Sequence, residues 1–541
     1  MAWQYEIGSG SDRASTYHDF VTKLVAFLTS QKVATVAVNA GGTGWTTGDI
    51  ATLTHAGAYL DARFEVTAVA GAITALRIVS SGAFANRIAS ATVSAAGTNY
   101  AVGNILEVQG GSAREKGKVQ VATLSGSGVA TVTVFETGGA YSSTPSNPAA
   151  TTKVGPNAGT GSGCTLTVTY TGLIGTTGLA VTGAGSGATV DITLAEVGWA
   201  TERNTNSTSF NGVTNEKEVV LKGDASGRTN KPYIGITTLT RTSGINTRYA
   251  VGFHGMIAHN PATALSAQPG ILGDPGTWSD QAPYILCDEN QLQSMDFWLS
   301  ANDYRVCGVL DLNSGAATSD DRQFFHFYAG FYDSFATETE DPYPMFVGGS
   351  SRATNIDPSA STTNITGLSE CLSPTGFANG MWVYRAEDST WVNVENSENA
   401  DNQERLVIMA PLGRLTRWQS GPGADDTVSA GPIPFNTGVF SGARGSPTRR
   451  LCPVPGTTPL FFPFPLTIVG RGNTNGTPNT TLDAVRGNLA GCFWVYNTDS
   501  SAATISNYAL DYITVGSDRY RVFHTHVQRQ NYNYIAMKED V

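Results

Sequence analysis

The chain has 541 residues, and its 33 Lys and Arg against 44 Asp and Glu give a formal net charge of −11. Charged residues make up 14% of the sequence, whereas an ordinary soluble domain carries about 25%. An acidic chain lacks the clustered cations that bind phosphates, which argues against nucleic-acid binding. The hydrophobic share of 40% supports a packed core and excludes a disordered chain.

No run of about 18 apolar residues occurs, so the sequence predicts no membrane insertion. The first residues show no cationic segment followed by an apolar run, and we therefore expect no secretory signal. Six cysteines lie far apart without a CxxC pair, which argues against a disulfide framework or a zinc ribbon. We expect them to be reduced thiols in a protein that folds in a reducing cytoplasm.

A helix is predicted first, over residues 16–30. Thr16 can cap its N-terminus, and apolar residues between Tyr17 and Leu28 recur at helical spacing. This stripe must pack against the following β structure or against a neighbouring subunit. We assign residues 1–37 to an N-terminal helical attachment segment.

A sequence repeat follows the helix. Each copy has an aromatic residue, then x-x-Gly with Asp or Asn, then two alternating strands, and it closes on Gly-Ala-aromatic. Glycine supplies a positive φ in the turn, and Asp or Asn caps the turn through its side chain. The matched anchors of the two copies are Trp45 and Tyr100, Gly48 and Gly103, Asp49 and Asn104, and Phe84 and Tyr141.

The repeat predicts two small β modules, residues 38–92 and residues 93–171, that superpose as the same fold. Each is too small to close a core alone, so neighbouring copies or subunits are expected to complete it. Residues 172–200 are interpreted as a β linker. The glycine-rich run 183–187 within them looks like a phosphate loop, but it lacks the Lys-Ser/Thr ending and a following helix, so we expect a β turn.

Residues 201–541 are predicted to form a large β-rich domain, most simply a β-sandwich. Polar stretches at 351–366 and 419–450 are interpreted as long loops. One proline-aromatic run is a structural motif, because prolines restrict the backbone around a tyrosine and two glycines permit a tight return. Its members are Pro342, Tyr343, Pro344, Gly348 and Gly349. The expected fold class is mainly β, with one N-terminal helix, two small repeated β modules and this large C-terminal β-sandwich-like domain.

Few residues form a pattern that supports catalysis or metal binding. His524 and His526 could share one face of a strand, as in some metal sites, but alternating polar residues on an exposed strand explain them better. His254 and His259 are five positions apart, which fits neither a helix face nor strand alternation. We therefore expect no catalytic residue, no metal and no cofactor.

Carboxylates matter because glycoside hydrolysis needs a converging pair. Adjacent carboxylates on a strand point to opposite faces, so solvated turns are the favoured interpretation, with a calcium cage as an alternative. The candidates are Asp288 with Glu289, Asp320 with Asp321, and Glu338, Glu340 and Asp341. Aromatic runs at 297–298, 324–331 and 461–465 could form a sugar-binding platform, but a core or a subunit interface is favoured.

The repeat, taken with several blocks of the C-terminal half, resembles virion structural proteins of tailed bacteriophages. These blocks are residues 218–223, 233–236, 268–270, 342–350 and the closing stretch 520–537. The resemblance covers nearly the whole chain. It implies a non-enzymatic, β-rich component of the tail, baseplate or fibre that acts through subunit interfaces. It carries no catalytic motif and so implies no active-site residues.

The resemblance also implies a location in the virion, after assembly in the host bacterial cytoplasm, and contacts with other virion proteins. A homo-oligomer is expected, and a trimer is the first expectation by analogy with phage fibres. Two alternatives stay open: a receptor-binding fibre or tailspike that recognises a host surface glycan, and a capsid decoration protein. Glycan cleavage is disfavoured, because a tailspike enzyme normally has a long β-helix of many similar rungs.

Overall fold

A computed structural model describes residues 2–9, 13–56, 58–84, 87–136, 138–154, 160–171, 175–210, 213–243, 246–272, 284–287, 294–311, 324–349, 351–352, 365–366, 381–386, 389–393, 406–410, 413–414, 461–470, 484–497, 512–524 and 533–539. They belong to two compact units, Thr22–Asn204 and Trp3–Val21 with Thr205–Asp540, which we name the repeat unit and the sheet unit. Strands dominate, and α1 (Arg13–Thr29) is an α-helix near the N-terminus, so the predicted mainly β class is confirmed. No helix in these ranges has the length and apolar character needed to cross a lipid bilayer.

Helix α1 is longer at its start than the sequence predicted. It begins at Arg13, so Thr16 lies inside the helix and does not cap it. Arginine and alanine favour helix, which explains the additional residues. Phe20, in the predicted stripe, is fully buried and packs edge-on against Phe297 and Phe327, at centroid distances of 5.3 and 6.4 Å. The first half of the stripe therefore packs against strands of the same chain.

The repeat unit contains two modules with the same strand order. After β1 (Ala2–Ser9) and α1, the strands are β2 (Gln31–Thr43), β3 (Ile50–Leu53), β4 (Leu60–Val69), β5 (Ala72–Ala83), β6 (Arg87–Thr98), β7 (Ile105–Val108), β8 (Ser112–Glu115), β9 (Lys118–Ser125), β10 (Gly128–Glu136), β11 (Gly139–Ser143), β12 (Ala149–Val154), β13 (Ser162–Thr171), β14 (Leu179–Ala180) and β15 (Ser186–Glu196). The first module runs β2-β15-β14 and β3-β4-β5, joined by a bridge between Thr52 and Thr182. The second runs β6-β13-β12-β7-β9-β10. In each module the last strand lies beside the first, so the module nearly closes on itself.

The second module is inserted into the first. β2 and β15 pair antiparallel along their length, so the first module is built from residues 31–84 together with residues 179–196. The second module occupies residues 87–171 between these two parts. Residues 172–200 therefore include a strand of the first module rather than a linker alone, and β6 crosses the predicted boundary at residue 93. The prediction followed chain order, which does not reveal an insertion.

Each module encloses its own hydrophobic core. Alternate residues of β4 and β9 point inward, as period-two patterning requires. The first core includes Phe64 and Val66, and the second includes Val119 and Val121. The expectation that neighbouring copies complete these cores is therefore wrong, because near-closure of six strands buries one face within each module.

A small residue is required where the first and last strands of each module cross. A Cβ atom on Gly41 would lie 2.7 Å from the carbonyl oxygen of Ile73 and 3.2 Å from the Cβ of Ala72. At the equivalent crossing the glycine is on the other strand, because a Cβ on Gly128 would lie 2.8 Å from the Cβ of Ala96. Both modules thus need one glycine and one alanine where these strands cross. The first module has Gly41 on β2 and Ala72 on β5, and the second has Ala96 on β6 and Gly128 on β10.

Exchanging this pair provides a test of the equivalence. Gly41→Ala alone should destabilise the protein by about 1–3 kcal/mol, because overpacking forces the two strands apart. The double variant Gly41→Ala with Ala72→Gly reproduces the pair of the second module and should recover part of that loss, because it removes the 3.2 Å contact with Ala72 but not the contact with the Ile73 carbonyl. Scanning calorimetry of the full chain measures both. A double variant no more stable than the single one would contradict the equivalence of the two crossings.

The remaining strands form three stacked layers and one separate two-stranded sheet in the sheet unit. They are β16 (Trp199–Phe210), β17 (Val213–Gly223), β18 (Tyr233–Ser243), β19 (Asn246–Met256), β20 (Tyr284–Cys287), β21 (Ser294–Ala301), β22 (Arg305–Asp311), β23 (Phe324–Phe331), β24 (Asp333–Ser334), β25 (Met345–Gly349), β26 (Ser351–Arg352), β27 (Ile365–Thr366), β28 (Met381–Arg385), β29 (Thr390–Asn393), β30 (Leu406–Ala410), β31 (Gly413–Arg414), β32 (Phe461–Gly470), β33 (Ala484–Asn497), β34 (Tyr512–Val515), β35 (Asp518–His524) and β36 (Asn533–Glu539). The central sheet is β1-β21-β22-β23-β25-β28-β29, the five-stranded sheet is β16–β20, and the eight-stranded sheet is β31-β30-β32-β33-β36-β35-β34 with β24 beside β33.

Aromatic side chains join the layers. Phe253 of the five-stranded sheet stacks on Phe327 of the central sheet, with ring centroids 4.5 Å apart. On the opposite face of the central sheet, Trp298 packs edge-on against Phe523 of the eight-stranded sheet at 5.1 Å. The predicted sandwich therefore has a third layer, and the central sheet is covered on both faces.

Prolines protect one edge of the eight-stranded sheet. β32 pairs with β33 over its whole length, but its other side pairs with β30 only from Thr467 to Gly470. Pro463 and Pro465 occupy the half that has no second neighbour among the described residues, where a missing N–H removes no ladder hydrogen bond. This placement also discourages pairing with another chain at that edge.

Candidate functional site

The aromatic anchors of the repeat are buried beneath glycines from a distant part of the chain. Trp45 is 2% exposed, and a Cβ atom on Gly183 or Gly185 would lie 2.7 or 2.5 Å from its ring. In the second module a Cβ on Gly161 would collide with the ring of Tyr100. Both glycine-rich runs are therefore needed for close approach to an aromatic face, which supports the predicted β turn over a phosphate loop.

The polar anchors of the repeat form matching turns. Asp49 accepts a 2.7 Å hydrogen bond from the backbone N–H of Thr46, and Asn104 accepts one of 2.9 Å from Ala101. The backbone N–H groups of Gly48 and Gly103 also have matching partners in the facing strand, each at 2.9 Å. The two turns thus share one hydrogen-bond pattern. They differ in burial, because Asn104 is fully buried and Asp49 is partly exposed.

The closing aromatics of the repeat are less alike than predicted. Phe84 and Tyr141 are both buried in their own modules. Phe84 exchanges backbone hydrogen bonds with Gln31, whereas Tyr141 pairs with Ala113 in the additional two-stranded sheet β8–β11. The Tyr141 hydroxyl also accepts a 2.7 Å bond from the N–H of Gly117. This additional sheet, which the described part of the first module lacks, therefore changes the setting of this position.

Substitution of Asp49 tests whether the side chain acts as a turn cap. Asp49→Ala removes the acceptor for the Thr46 N–H and should cost about 1 kcal/mol of unfolding free energy. Asp49→Asn supplies the acceptor that the second module uses and should change stability by less than half of that. Urea unfolding followed by tryptophan fluorescence measures the difference. Equal losses in the two variants would show that charge, not the hydrogen bond, matters here.

The proline-aromatic motif leads into the middle of the central sheet. Its glycines lie in β25, which pairs with β23 and β28, and the backbone N–H of Tyr332 donates to the carbonyl of Pro344 at 2.8 Å. The half-buried ring of Tyr343 packs edge-on against Tyr384, with centroids 6.1 Å apart. Gly348 and Gly349 are part of a strand, so the predicted tight return is wrong. Residue 350 lies outside the described residues.

A polar cluster surrounds this motif, and we name it the polar junction: Arg228, Arg305, Tyr332, Asp333, Glu338 and Asp341. Asp341 is buried and accepts hydrogen bonds from the Tyr332 hydroxyl at 2.7 Å and from the Ser334 hydroxyl at 2.8 Å. Arg228 donates to the backbone carbonyl of Asp341 at 2.8 Å. The junction thereby fixes the turn that precedes β25 against the loop after β17.

Arg305 is the buried cation of the junction. Its guanidinium contacts Asp333 at 2.6 Å and the Tyr328 hydroxyl at 3.3 Å, and it donates to the carbonyl of Phe331 at 3.2 Å. Burial raises the pKa of Tyr332, and the adjacent Asp341 raises it further, so this phenol stays protonated and serves as a donor. Most polar groups of this network bond one another, although the Nε atoms of Arg228 and Arg305 make no hydrogen bond with the described residues, and the network rigidifies the loop that it holds.

Two of the carboxylates considered as catalytic candidates accept hydrogen bonds from backbone N–H groups. Glu338 accepts 2.8 Å hydrogen bonds from the N–H groups of Asn230 and Thr229, and the Asn230 bond is the main cause that lowers its pKa. The backbone N–H of Thr337, followed by its hydroxyl, lowers the pKa of Glu340. A general acid for glycoside cleavage needs a raised pKa, so both shifts have the opposite sign.

The other predicted sites are separated or fall outside the described residues. His254 is buried, with its ring 3.2 Å from the Thr237 hydroxyl and 3.1 Å from the Leu272 carbonyl, whereas His259 lies in the following loop. Among the described residues, no three His, Cys, Asp or Glu converge as a metal site. The predicted positions outside those residues are Asp288, Glu289, Asp320, Asp321, His526 and the loop 419–450.

Most aromatics considered for sugar stacking are part of the core. Phe297, Trp298, Phe327 and Phe331 are at most 5% exposed. The sequence missed a different ring, Tyr512, which is 50% exposed at the edge strand β34 and has the Arg519 guanidinium 3.5 Å from its centroid. Its place as the first residue of the short alternating strand 512–515 is the only signal that the sequence gives.

No protein-family model matches this sequence, and a search of curated proteins gives no significant match.

Proposed function

We propose that the protein is a structural component of a tailed bacteriophage particle, in the tail, baseplate or fibre, and that it acts through subunit interfaces. The observation that carries this proposal is a row of paired hydroxyls on the outer faces of the nested modules: Thr35 with Thr193 and Ser90 with Thr169 at 2.6 Å each, and Ser94 with Thr167 at 2.7 Å. In the first module this face also carries Asp191, which accepts hydrogen bonds from Asn39. The hydroxyl pairs of the second module can be buried against another subunit without desolvating a charge.

The energetic reason is the high cost of burying ions. Removing a charged side chain from water costs several kcal/mol unless a partner and hydrogen bonds compensate. Hydroxyls that already bond one another leave fewer polar atoms to satisfy when water is removed. A chain with 14% charged residues therefore suits a multi-copy assembly. In this proposal the modules contact other copies or virion proteins, and the sheet unit is displayed or bridges neighbours.

Light scattering after size exclusion tests the oligomer. We expect a homo-oligomer, with a trimer as the first expectation. A lysine at Thr167 or Thr169 should dissociate it if the hydroxyl pairs of the second module form the interface, because each substitution buries an unpartnered charge. Thr514→Lys, at an exposed position in β34 of the sheet unit, is the matched control and should leave the mass unchanged. A monomer at micromolar concentration would contradict the proposal.

A second candidate function has a specific observation in its favour. The exposed ring of Tyr512 with its stacked Arg519 is a small platform of the kind that binds sugar rings. It supports a receptor-binding fibre that recognises a host surface glycan. A capsid decoration role predicts the same oligomeric behaviour and differs only in particle location.

Alanine substitutions of Tyr343 and Tyr512 distinguish the structural function from the receptor-binding function in particle assembly and adsorption assays. Tyr343→Ala should lower Tm and reduce incorporation into particles, because it removes the ring that packs on Tyr384. Tyr512→Ala should leave Tm and incorporation unchanged under both readings. Under the structural reading its particles adsorb normally to host cells, whereas under the receptor reading adsorption falls at least tenfold. Cryo-electron microscopy of the intact particle then locates the subunit.

A further inference from the structure

Two thiols meet between the central sheet and the eight-stranded sheet. Cys307 lies in β22 and Cys492 lies in β33, and neither is in a disulfide. Both line the same cavity of about 20 Å³, whose other walls include Leu466, Leu489 and Ile535. The cavity surface is almost wholly apolar, although His326 and Tyr328 also line it, so both thiols border the same small apolar space.

A hydrogen-bonded chain already orients the two sulfurs. The Cys307 thiol donates to the carbonyl of Ser300 at 3.4 Å. The Cys492 side chain is hydrogen-bonded to that of Cys307. Because the proton of Cys307 is directed at Ser300, Cys492 is the donor and the Cys307 sulfur is the acceptor. A disulfide needs the two Cβ atoms about 4 Å apart. The cavity that both side chains line gives the thiols room to approach each other.

We propose that Cys307 and Cys492 are a latent cross-link between the two sheets, reduced in the cytoplasm and closed to a disulfide when the protein meets a peroxide outside the cell. Hydrogen peroxide first oxidises Cys492 to a sulfenic acid and releases one water. The Cys307 thiol then attacks that sulfur, an S–S bond forms, and the hydroxyl leaves with the thiol proton as a second water. Overall, two thiols and one peroxide give one disulfide and two waters.

The same geometry explains why the cross-link is latent. The hydrogen bond to Cys307, together with burial, raises the pKa of Cys492 well above its usual value. The thiolate, which is the reactive form, is therefore scarce at neutral pH, and oxidation is slow unless the sheets open locally. Closure should accelerate as the pH rises towards the thiol pKa.

Closure would stabilise the sheet unit by restricting the unfolded chain. Cys307 and Cys492 are 185 positions apart, so the bond closes a long loop. In the chain-entropy account, stabilisation grows with loop length, provided that the native geometry is not strained. The central and eight-stranded sheets would then separate only after the bond is reduced.

The test uses the full chain, purified under reducing conditions and then exposed to hydrogen peroxide. Remaining thiols are blocked under denaturing conditions, and the protein is digested without reduction. We expect a peptide pair joined at Cys307 and Cys492, two fewer titratable thiols, and a Tm higher by about 5–10 °C. Dithiothreitol should reverse all three changes. Because these readouts come from the wild-type protein, the test does not depend on a variant that folds.

Two variants add matched controls. Cys307→Ala should abolish both the joined peptide and the rise in Tm. Cys164→Ala removes a buried thiol of the repeat unit, whose backbone carbonyl accepts a hydrogen bond from the Thr151 hydroxyl, and should leave both intact. The proposal is overturned if peroxide yields only sulfinic acid at Cys492, or if no 307–492 linkage forms after prolonged exposure at high pH. A linkage that lowers Tm would also reject it, because the bond would then be strained.

Discussion

The close approach of glycine to an aromatic ring is the contact on which the repeat unit depends. Trp45 can be buried only because Gly183 and Gly185 have no side chains, and Tyr100 is covered by Gly161 in the same way. In the first module this contact joins the turn after β2 to the turn before β15, and in the second it joins the turn after β6 to the turn before β13. The turn that holds the aromatic residue leads into the next strands, whose alternate residues point into the core. One steric constraint therefore determines closure, register and core composition in both modules.

The sheet unit is held together by different interactions. Aromatic pairs join its three layers, while the polar junction fixes the loops at the end of the central sheet. Arg228 and Asp341 are 113 positions apart, and Ser226 and Asp303 are 77 apart. These bonds satisfy buried polar groups rather than create reactive ones. Their arrangement is consistent with a rigid display surface, which is what the proposed particle role needs.

The sequence predicted what local chemistry determines. Strand alternation, the helix stripe and the turn anchors at Asp49 and Asn104 are visible because their partners lie within a few residues. The insertion was missed, although the glycine runs before β13 and β15 are alike and were the signal for it. The polar junction could not be predicted, because its partners are brought together only by tertiary folding. The third layer was missed for the same reason.

The insertion also affects the order in which the chain can fold. Thr35 and Thr193 face each other across β2 and β15 but are 158 positions apart, a span that would make unaided strand pairing slow. The inner module, by contrast, is complete at residue 171, before β15 has been synthesised. Once the inner module has folded, it shortens the effective loop between β2 and β15 that the outer module must close. Because the inner module is synthesised completely before β15, synthesis on the ribosome favours folding of the inner module first and the outer module second.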